Sequence, residues 1–67
     1  MPFNEYVGRV IPLSLSRAMK RHNVSPADFN DLESVYGADD AAIEAAIERY
    51  SVNGSFSVFE FWNRRPL

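Results

Sequence analysis

The sequence predicts a small α+β domain in which three short helices lie between an N-terminal strand and a C-terminal strand. Three observations predict this order. Apolar residues alternate with a period of two in residues 3–11 and again in residues 55–62, as they do in strands. Between these segments, apolar residues recur at helical spacing in three stretches, and capping residues flank them. Because an isolated two-stranded ribbon is marginally stable, we expect the two strands to pair and to pack on the helices.

The first strand and the first helix meet at a proline. Pro12 has no amide hydrogen to donate to a strand ladder, so we expect the strand to end there. Ser14 is a candidate N-cap for a first helix that extends to about residue 22. One side of this helix is apolar and continues to His22, for which we expect a partly buried, hydrogen-bonded structural role. The apolar residues of this side are Leu15, Ala18 and Met19.

The second and third helices have clear start signals. Ser25 is a candidate N-cap, and Pro26 follows at the first helical position, where proline is favoured. Gly37 suits the positive φ that commonly ends a helix. Asp39 or Asp40 is expected to cap a third helix over residues 41–50. The expected inward residues of these two helices are Phe29, Leu32, Val35, Tyr36, Ile43, Ala46, Ile47 and Tyr50.

The end of the chain is expected to be a turn and a strand. Asn53 and Gly54 both tolerate positive φ, so they indicate either a tight turn or a helix end. The strand predicted over residues 55–62 is dense in aromatic residues and has large apolar groups on both sides. A strand with such sides and a free edge favours association, and we expect a homodimer or a partner contact through residues 56–62.

Composition limits the class of protein. A chain of 67 residues predicts one small domain over residues 1–67, and 46% hydrophobic and 13% aromatic content argue against disorder. The absence of cysteine excludes disulfides and cysteine metal sites. The first residues lack the pattern of a signal peptide, and no apolar run approaches the ~20 residues of a membrane span. We therefore expect a cytoplasmic protein.

Charge is segregated along the chain, although the net charge is only −2. Residues 1–24 contain four basic residues and one acidic residue, a balance of +3. Residues 25–50 contain seven acidic residues and one arginine, a balance of −6, and the remaining residues have a balance of +1. The pattern is typical of solvated faces, or of a molecule with one basic and one acidic recognition face.

The histidine and the carboxylates of the sequence do not predict an enzyme. One histidine without cysteine and without an obvious nucleophile makes neither a catalytic triad nor a zinc site. Glu44 and Glu48 lie one turn apart on the predicted solvent side of the third helix, whereas catalytic carboxylates usually need burial or a pocket. We expect no catalytic residue, no cofactor and no metal.

The stretch from Phe29 to Gly37, followed by Ile43, Ile47, Tyr50 and Gly54, resembles a winged helix-turn-helix domain. The resemblance covers residues 13–62, with a first helix at 14–22 and a wing strand at 55–62. It implies a winged-helix-like arrangement with a two-stranded antiparallel ribbon, in which the third helix reads the major groove. The outward positions of that helix are Ala41, Glu44, Ala45 and Glu48. Carboxylates repel phosphate, so these residues argue against DNA reading.

A second, shorter set of residues resembles the pro-domain of sedolisin-type peptidases. The matching pieces are Ser25-Pro-Ala-Asp-Phe29, Tyr36-Gly37, Ile43 and Gly54-Ser-Phe-Ser-Val58. Such pro-domains are inhibitory modules that dock on a protein surface, so this resemblance implies protein docking.

The predicted function is therefore non-enzymatic binding of a protein that has a basic surface. We expect a small regulator or inhibitor that acts by surface occlusion, and a phage or mobile-element origin would suit its size. The expected partner-binding residues are Asp40, Ala41, Glu44, Ala45, Glu48, Phe59, Phe61 and Trp62. The alternative is a winged-helix DNA-binding transcriptional regulator. Its expected nucleic-acid contacts are Arg17, Lys20, Arg21, Arg64 and Arg65.

Overall fold

The computed structural model of the protein describes residues 10–66, which contain four helices and a two-stranded antiparallel ribbon. The helices are α1 (Leu13–Arg21), α2 (Pro26–Tyr36), α3 (Asp40–Arg49) and α4 (Val58–Arg64). The ribbon consists of β1 (Ser51–Val52) and β2 (Ser55–Phe56), and it lies between α3 and α4 in the chain. The predicted α+β class and the two-stranded antiparallel ribbon are confirmed.

Side-chain caps start α2 and α3 as predicted. The amide of Asp28 donates to Ser25 Oγ at 3.0 Å, and the amide of Ala42 donates to an Asp39 carboxylate oxygen at 3.2 Å. These bonds satisfy amides that have no partner within the first turn of a helix.

The predicted cap of α1 at Ser14 is wrong, because the N-cap lies two residues earlier. Pro12 is the N-cap residue, with φ −62° and ψ 152°, and its own side chain makes no capping hydrogen bond. The carbonyl of Pro12 accepts the first helical hydrogen bond, from the amide of Ser16 at 3.0 Å. Ser14 therefore already lies within the first turn.

Asn23 ends α1 in a left-handed conformation with φ 56°. The amide of Val24 donates to the carbonyl of Met19 at 2.9 Å, and the amide of Asn23 reaches the carbonyl of Lys20 at 3.4 Å. This pair of bonds is the Schellman motif, and Val24, which is 4% exposed, makes the hydrophobic contact that accompanies it.

The ribbon differs from the predicted pairing of residues 3–11 with residues 55–62. Residues 3–9 lie outside the described residues, and Val10 and Ile11 belong to no strand. Instead, Ser51 pairs with Phe56 and Val52 with Ser55 across a turn of Asn53 and Gly54. Both turn residues have positive φ, 54° and 87°, as the hairpin turn that matches strand twist requires. Of the two structures expected at Asn53 and Gly54, a tight turn or a helix end, the tight turn is the one observed.

The predicted strand over residues 55–62 is wrong beyond Phe56, because the chain turns into α4. The amide of Glu60 donates to Ser57 Oγ at 3.1 Å, which caps the helix. A strand would place Phe59 and Phe61 on the same face, whereas the helix leaves Phe59 70% exposed and buries Phe61 completely. The serine cap and the burial of Phe61 thus outweigh the strand propensity of the aromatic residues, because strand propensity depends on context.

The core lies where α3 packs against both α1 and α2. All the expected inward residues of the three helices are buried except Val35 and Tyr36, which are half-buried and pack against the core. The core residues are Ile11, Leu15, Ala18, Met19, Val24, Phe29, Leu32, Ile43, Ala46, Ile47, Tyr50, Phe56 and Phe61. Each helix in residues 10–66 is too short or too polar to cross a membrane.

Candidate interaction surfaces

The outward side of α3 combines small side chains with carboxylates. Ile43, Ala46 and Ile47 turn into the core, so the opposite side of the helix faces solvent. Ala41, Ala45 and Glu48 are exposed there, as predicted, whereas Asp40 and Glu44 are half-buried. We call these five residues the α3 face. Its alanines leave the helix backbone accessible to a partner, and its carboxylates lie along one edge.

An ion pair connects the α3 face to α1. The Arg21 guanidinium lies 3.8 Å from a carboxylate oxygen of Glu48, and the two side chains are 60% and 54% exposed. The fold thus brings a basic and an acidic segment of the sequence together. A pair this exposed contributes only about 0 to 1 kcal/mol, so a partner's cation can compete with Arg21 for Glu48 at small cost.

α4 presents two aromatic side chains to solvent. Phe59 is 70% exposed and Trp62 is 43% exposed, and their i, i+3 spacing places them side by side. The Phe61 ring lies 4.9 Å from that of Trp62 and holds it from the inside. The structure places Phe61 itself in the core, so this predicted partner-binding residue is not on the surface.

The arginines at the end of the chain have partners within α4. A guanidinium nitrogen of Arg64 lies 3.3 Å from Glu60 one turn before it. The Arg65 guanidinium lies over two rings, 5.1 Å from the centre of Trp62 and 5.8 Å from that of Phe61. Such cation–π contacts stabilise the position of a ring as well as that of the cation.

The residues of the alternative nucleic-acid set are spread over two elements. Arg17, Lys20 and Arg21 are exposed on α1, whereas Arg64 lies on α4 and Arg65 directly follows it. Arg21 already pairs with Glu48, and Arg64 with Glu60. Carboxylates of the same chain therefore partly neutralise Arg21 and Arg64.

His22 has the structural role predicted for it. It is half-buried at the end of α1, and its Nδ1 donates to the carbonyl of Gly54 at 3.0 Å. The neighbouring Asn23 donates from its side chain to Ser55 Oγ at 2.8 Å, and the amide of Phe56 donates to the carbonyl of His22 at 2.7 Å. These three bonds fasten the hairpin to the end of α1.

Residues 10–66 contain no group of three or more histidine or acidic side chains placed to hold a metal ion.

Sequence reasoning missed α4 as a helix and, with it, the ion pair of Glu60 with Arg64. The signal was present, because Ser57-Val58-Phe59-Glu60 has the spacing of a capping box, in which serine begins a helix and glutamate follows three residues later. The alternating aromatic residues favoured a strand and obscured this signal.

Comparison with protein-family models, curated proteins and solved structures gives no significant match for this chain. The resemblances to a winged helix-turn-helix domain and to a sedolisin-type pro-domain therefore stay predictions.

Proposed function

We propose that the protein is a non-enzymatic regulator or inhibitor that binds a basic surface of another protein through the α3 face. The observation that carries this proposal is the arrangement of exposed Ala41 and Ala45 beside Glu44 and Glu48 on one side of a helix anchored in the core. Small residues allow a partner to approach closely, and carboxylates select a basic partner. The exposed rings of α4 supply apolar area for association.

The mechanism is occlusion of the partner's basic site. Glu44 and Glu48 lie about 6 Å apart along the helix axis, since an α-helix rises 1.5 Å per residue. Because α3 is fixed by core side chains on its other side, the spacing of these carboxylates is set before binding, which lowers the entropic cost of association. Where the basic site normally holds nucleic acid, the two carboxylates act as substitutes for phosphates.

A winged-helix-like arrangement is part of this proposal. The chain order of three helices followed directly by a hairpin supports it, and in that architecture the third helix is the DNA-reading one. In that arrangement, the helix that reads DNA in winged-helix proteins would carry carboxylates instead. It would then bind the basic site of a partner protein that itself binds nucleic acid. The proposal includes a cytoplasmic location, which the cysteine-free sequence favours.

A charge reversal on α3 tests the proposal. Photocrosslinking from Ala45→p-benzoylphenylalanine in cells identifies the partner, and purified proteins then give its affinity. We expect Glu44→Lys with Glu48→Lys to weaken binding about tenfold or more. Interfacial charge pairs contribute on the order of 1.5 kcal/mol or more, and 1.4 kcal/mol is a factor of ten.

The matched control is Asp31→Lys with Glu33→Lys, which changes the net charge equally but on α2. We expect this variant to bind within about twofold of the original protein, because screening limits long-range effects. An equal loss in both double variants would indicate a general charge effect, and unchanged affinity of the α3 variant would remove the α3 face from the proposal.

The second candidate is a winged-helix DNA-binding regulator, which the exposed Arg17 and Lys20 on α1 favour. Fluorescence anisotropy with random-sequence duplex DNA, at low and then physiological salt, distinguishes the two functions. Tight, salt-sensitive binding that Arg17→Ala weakens would support the DNA-binding regulator. Each phosphate contact steepens the dependence of the logarithm of the binding constant on the logarithm of the salt concentration by about one unit. We expect no binding, because the acidic α3 face repels the duplex.

A further inference from the structure

We propose that Asn53 is a site of spontaneous deamidation, and that its conversion to isoaspartate releases the hairpin from the end of α1. The reaction takes water as its only co-reactant. The proposal goes beyond the proposed function, and it does not depend on the α3 face. It is based on the exposure of the Asn53-Gly54 turn and on the position of the bonds that fasten the hairpin.

The reaction is a ring closure between two neighbouring residues. The amide nitrogen of Gly54 loses its proton to base and attacks the side-chain carbonyl carbon of Asn53. The new carbon–nitrogen bond closes a five-membered succinimide, and the bond from that carbon to the side-chain nitrogen breaks, which releases ammonia. Water then opens the ring at either carbonyl and gives aspartate or isoaspartate. One water is consumed, one ammonia leaves, and the chain gains one negative charge.

The turn leaves both reacting groups accessible. Asn53 and Gly54 are exposed, and they connect the two strands without belonging to the ladder. Among residues 10–66, the hydrogen bonds leave the Asn53 side chain and the Gly54 amide unused. A Cβ added at Gly54 would meet no atom within 4 Å, so the residue that supplies the attacking nitrogen lies in open space. Glycine also gives the least steric resistance to the backbone rotation that brings the nitrogen to the side chain.

Asn23 provides a comparison within the chain, because its φ of 56° matches the 54° of Asn53. The amide that would attack its side chain, that of Val24, donates to the carbonyl of Met19 at 2.9 Å. The Asn23 side chain itself donates to Ser55 Oγ at 2.8 Å, and the branched Val24 side chain is buried. Deamidation of Asn23 therefore requires that these bonds and this packing be broken first, whereas deamidation of Asn53 does not.

Helical backbone protects two further asparagines. Asn30 lies within α2 and Asn63 within α4, where the following amide takes part in the helical ladder of hydrogen bonds. The Asn63 side chain also donates to the carbonyl of Phe59 at 2.7 Å. Asn4 lies outside the described residues. Of the asparagines in residues 10–66, Asn53 is thus the one whose reacting groups are both free.

Isoaspartate changes the length of the turn. Its main chain runs through the former side chain, so one additional carbon enters a turn whose two residues fix the register of the hairpin. The three bonds that fasten the hairpin to α1 come from Gly54, Ser55 and Phe56, which all follow the added carbon. A longer turn displaces these groups together, so the bonds lose their geometry. Aspartate, the other product, leaves the main chain unchanged.

Incubation of the full chain at mildly alkaline pH tests the site, since base removes the amide proton. Trypsin then releases residues 50–64, and fragment masses show whether Asn53 or Asn63 has exchanged an amide for a carboxylate. We expect Asn53 to react before the other asparagines of residues 10–66. Asn53→Gly, which tolerates the positive φ of the turn, should lack this early product. Faster reaction at another of these asparagines would overturn the proposal, as would an Asn53 that reacts in urea but stays intact in the folded chain.

Asn53→Asp is the matched control for the consequence, because it has the charge of the isoaspartate product on an unchanged main chain. We expect the purified isoaspartate form to unfold at a temperature about 4 °C or more below that of Asn53→Asp, since it loses hydrogen bonds. The resonance of the Phe56 amide proton should move upfield only in the isoaspartate form, because this amide no longer donates to His22. Equal unfolding temperatures and equal Phe56 resonances would overturn the release of the hairpin. Partner binding through the α3 face is measured separately, so the proposed function stands or falls on its own test.

Discussion

At the scale of single residues, Phe61 packs against aromatic rings from three different parts of the chain. Its ring centre lies 6.1 Å from that of Tyr36, 5.5 Å from that of Tyr50 and 6.1 Å from that of Phe56. These neighbours come from α2, from the residue after α3 and from β2. Tilted and edge-on ring pairs of this kind add to the free energy of burial.

We predict that Phe61→Ala unfolds much of the protein, whereas Phe59→Ala does not. Removing a buried phenylalanine costs about 3 to 5 kcal/mol, and a domain of this length is stable by roughly 3 to 10 kcal/mol. Phe59 undergoes the same chemical change at a position that is 70% exposed. Urea unfolding of dilute protein measures both effects. Equal losses of stability would contradict the placement of the two rings.

At the scale of elements, serine side chains cap the starts of two helices, α2 and α4. Ser25 and Ser57 accept hydrogen bonds from the amides three residues later, at the starts of α2 and α4. Ser14 is also a serine near the start of a helix, but Pro12 occupies the N-cap position of α1. A sequence pattern therefore identifies a possible cap, and the backbone path determines which one is used.

We predict that Ser57→Ala lowers the free energy of unfolding by about 1 kcal/mol, since it removes the cap of α4. The matched control, Ser14→Ala, is expected to be neutral or slightly stabilising, because alanine is the better helix former within a helix. Thermal unfolding followed by circular dichroism compares the two. A loss of stability for Ser14→Ala as large as that for Ser57→Ala would contradict the start of α1 at Leu13.

At the scale of the whole molecule, the sequence predicted what depends on local periodicity and missed what depends on tertiary contacts. The apolar spacing of Leu15, Ile43 and their neighbours identified the inward sides of three helices, because helical periodicity needs no knowledge of the fold. The direction of Phe59 and Phe61 could not be predicted in that way. Short aromatic runs fit either a strand or a helix, and the four-ring environment of Phe61 decides between them.

The candidate site was predictable to a similar extent. The outward position of Ala41, Ala45 and Glu48 followed from the same periodicity, and the structure agrees. The ion pair of Glu48 with Arg21 was not predictable, since it joins residues 27 positions apart in the sequence. Its existence depends on how α1 crosses α3.

The bonds that fasten the hairpin to the end of α1 have a consequence for the order of folding. The bond from His22 to Gly54 spans 32 residues, and closing a loop of that length costs about 3 kcal/mol of chain entropy. Most of that loop consists of α2 and α3, so their collapse onto α1 shortens the distance before the bond forms. We therefore expect the hairpin to dock late. The amide of Phe56, which donates to His22, should gain its protection from hydrogen exchange only when the intervening helices have assembled.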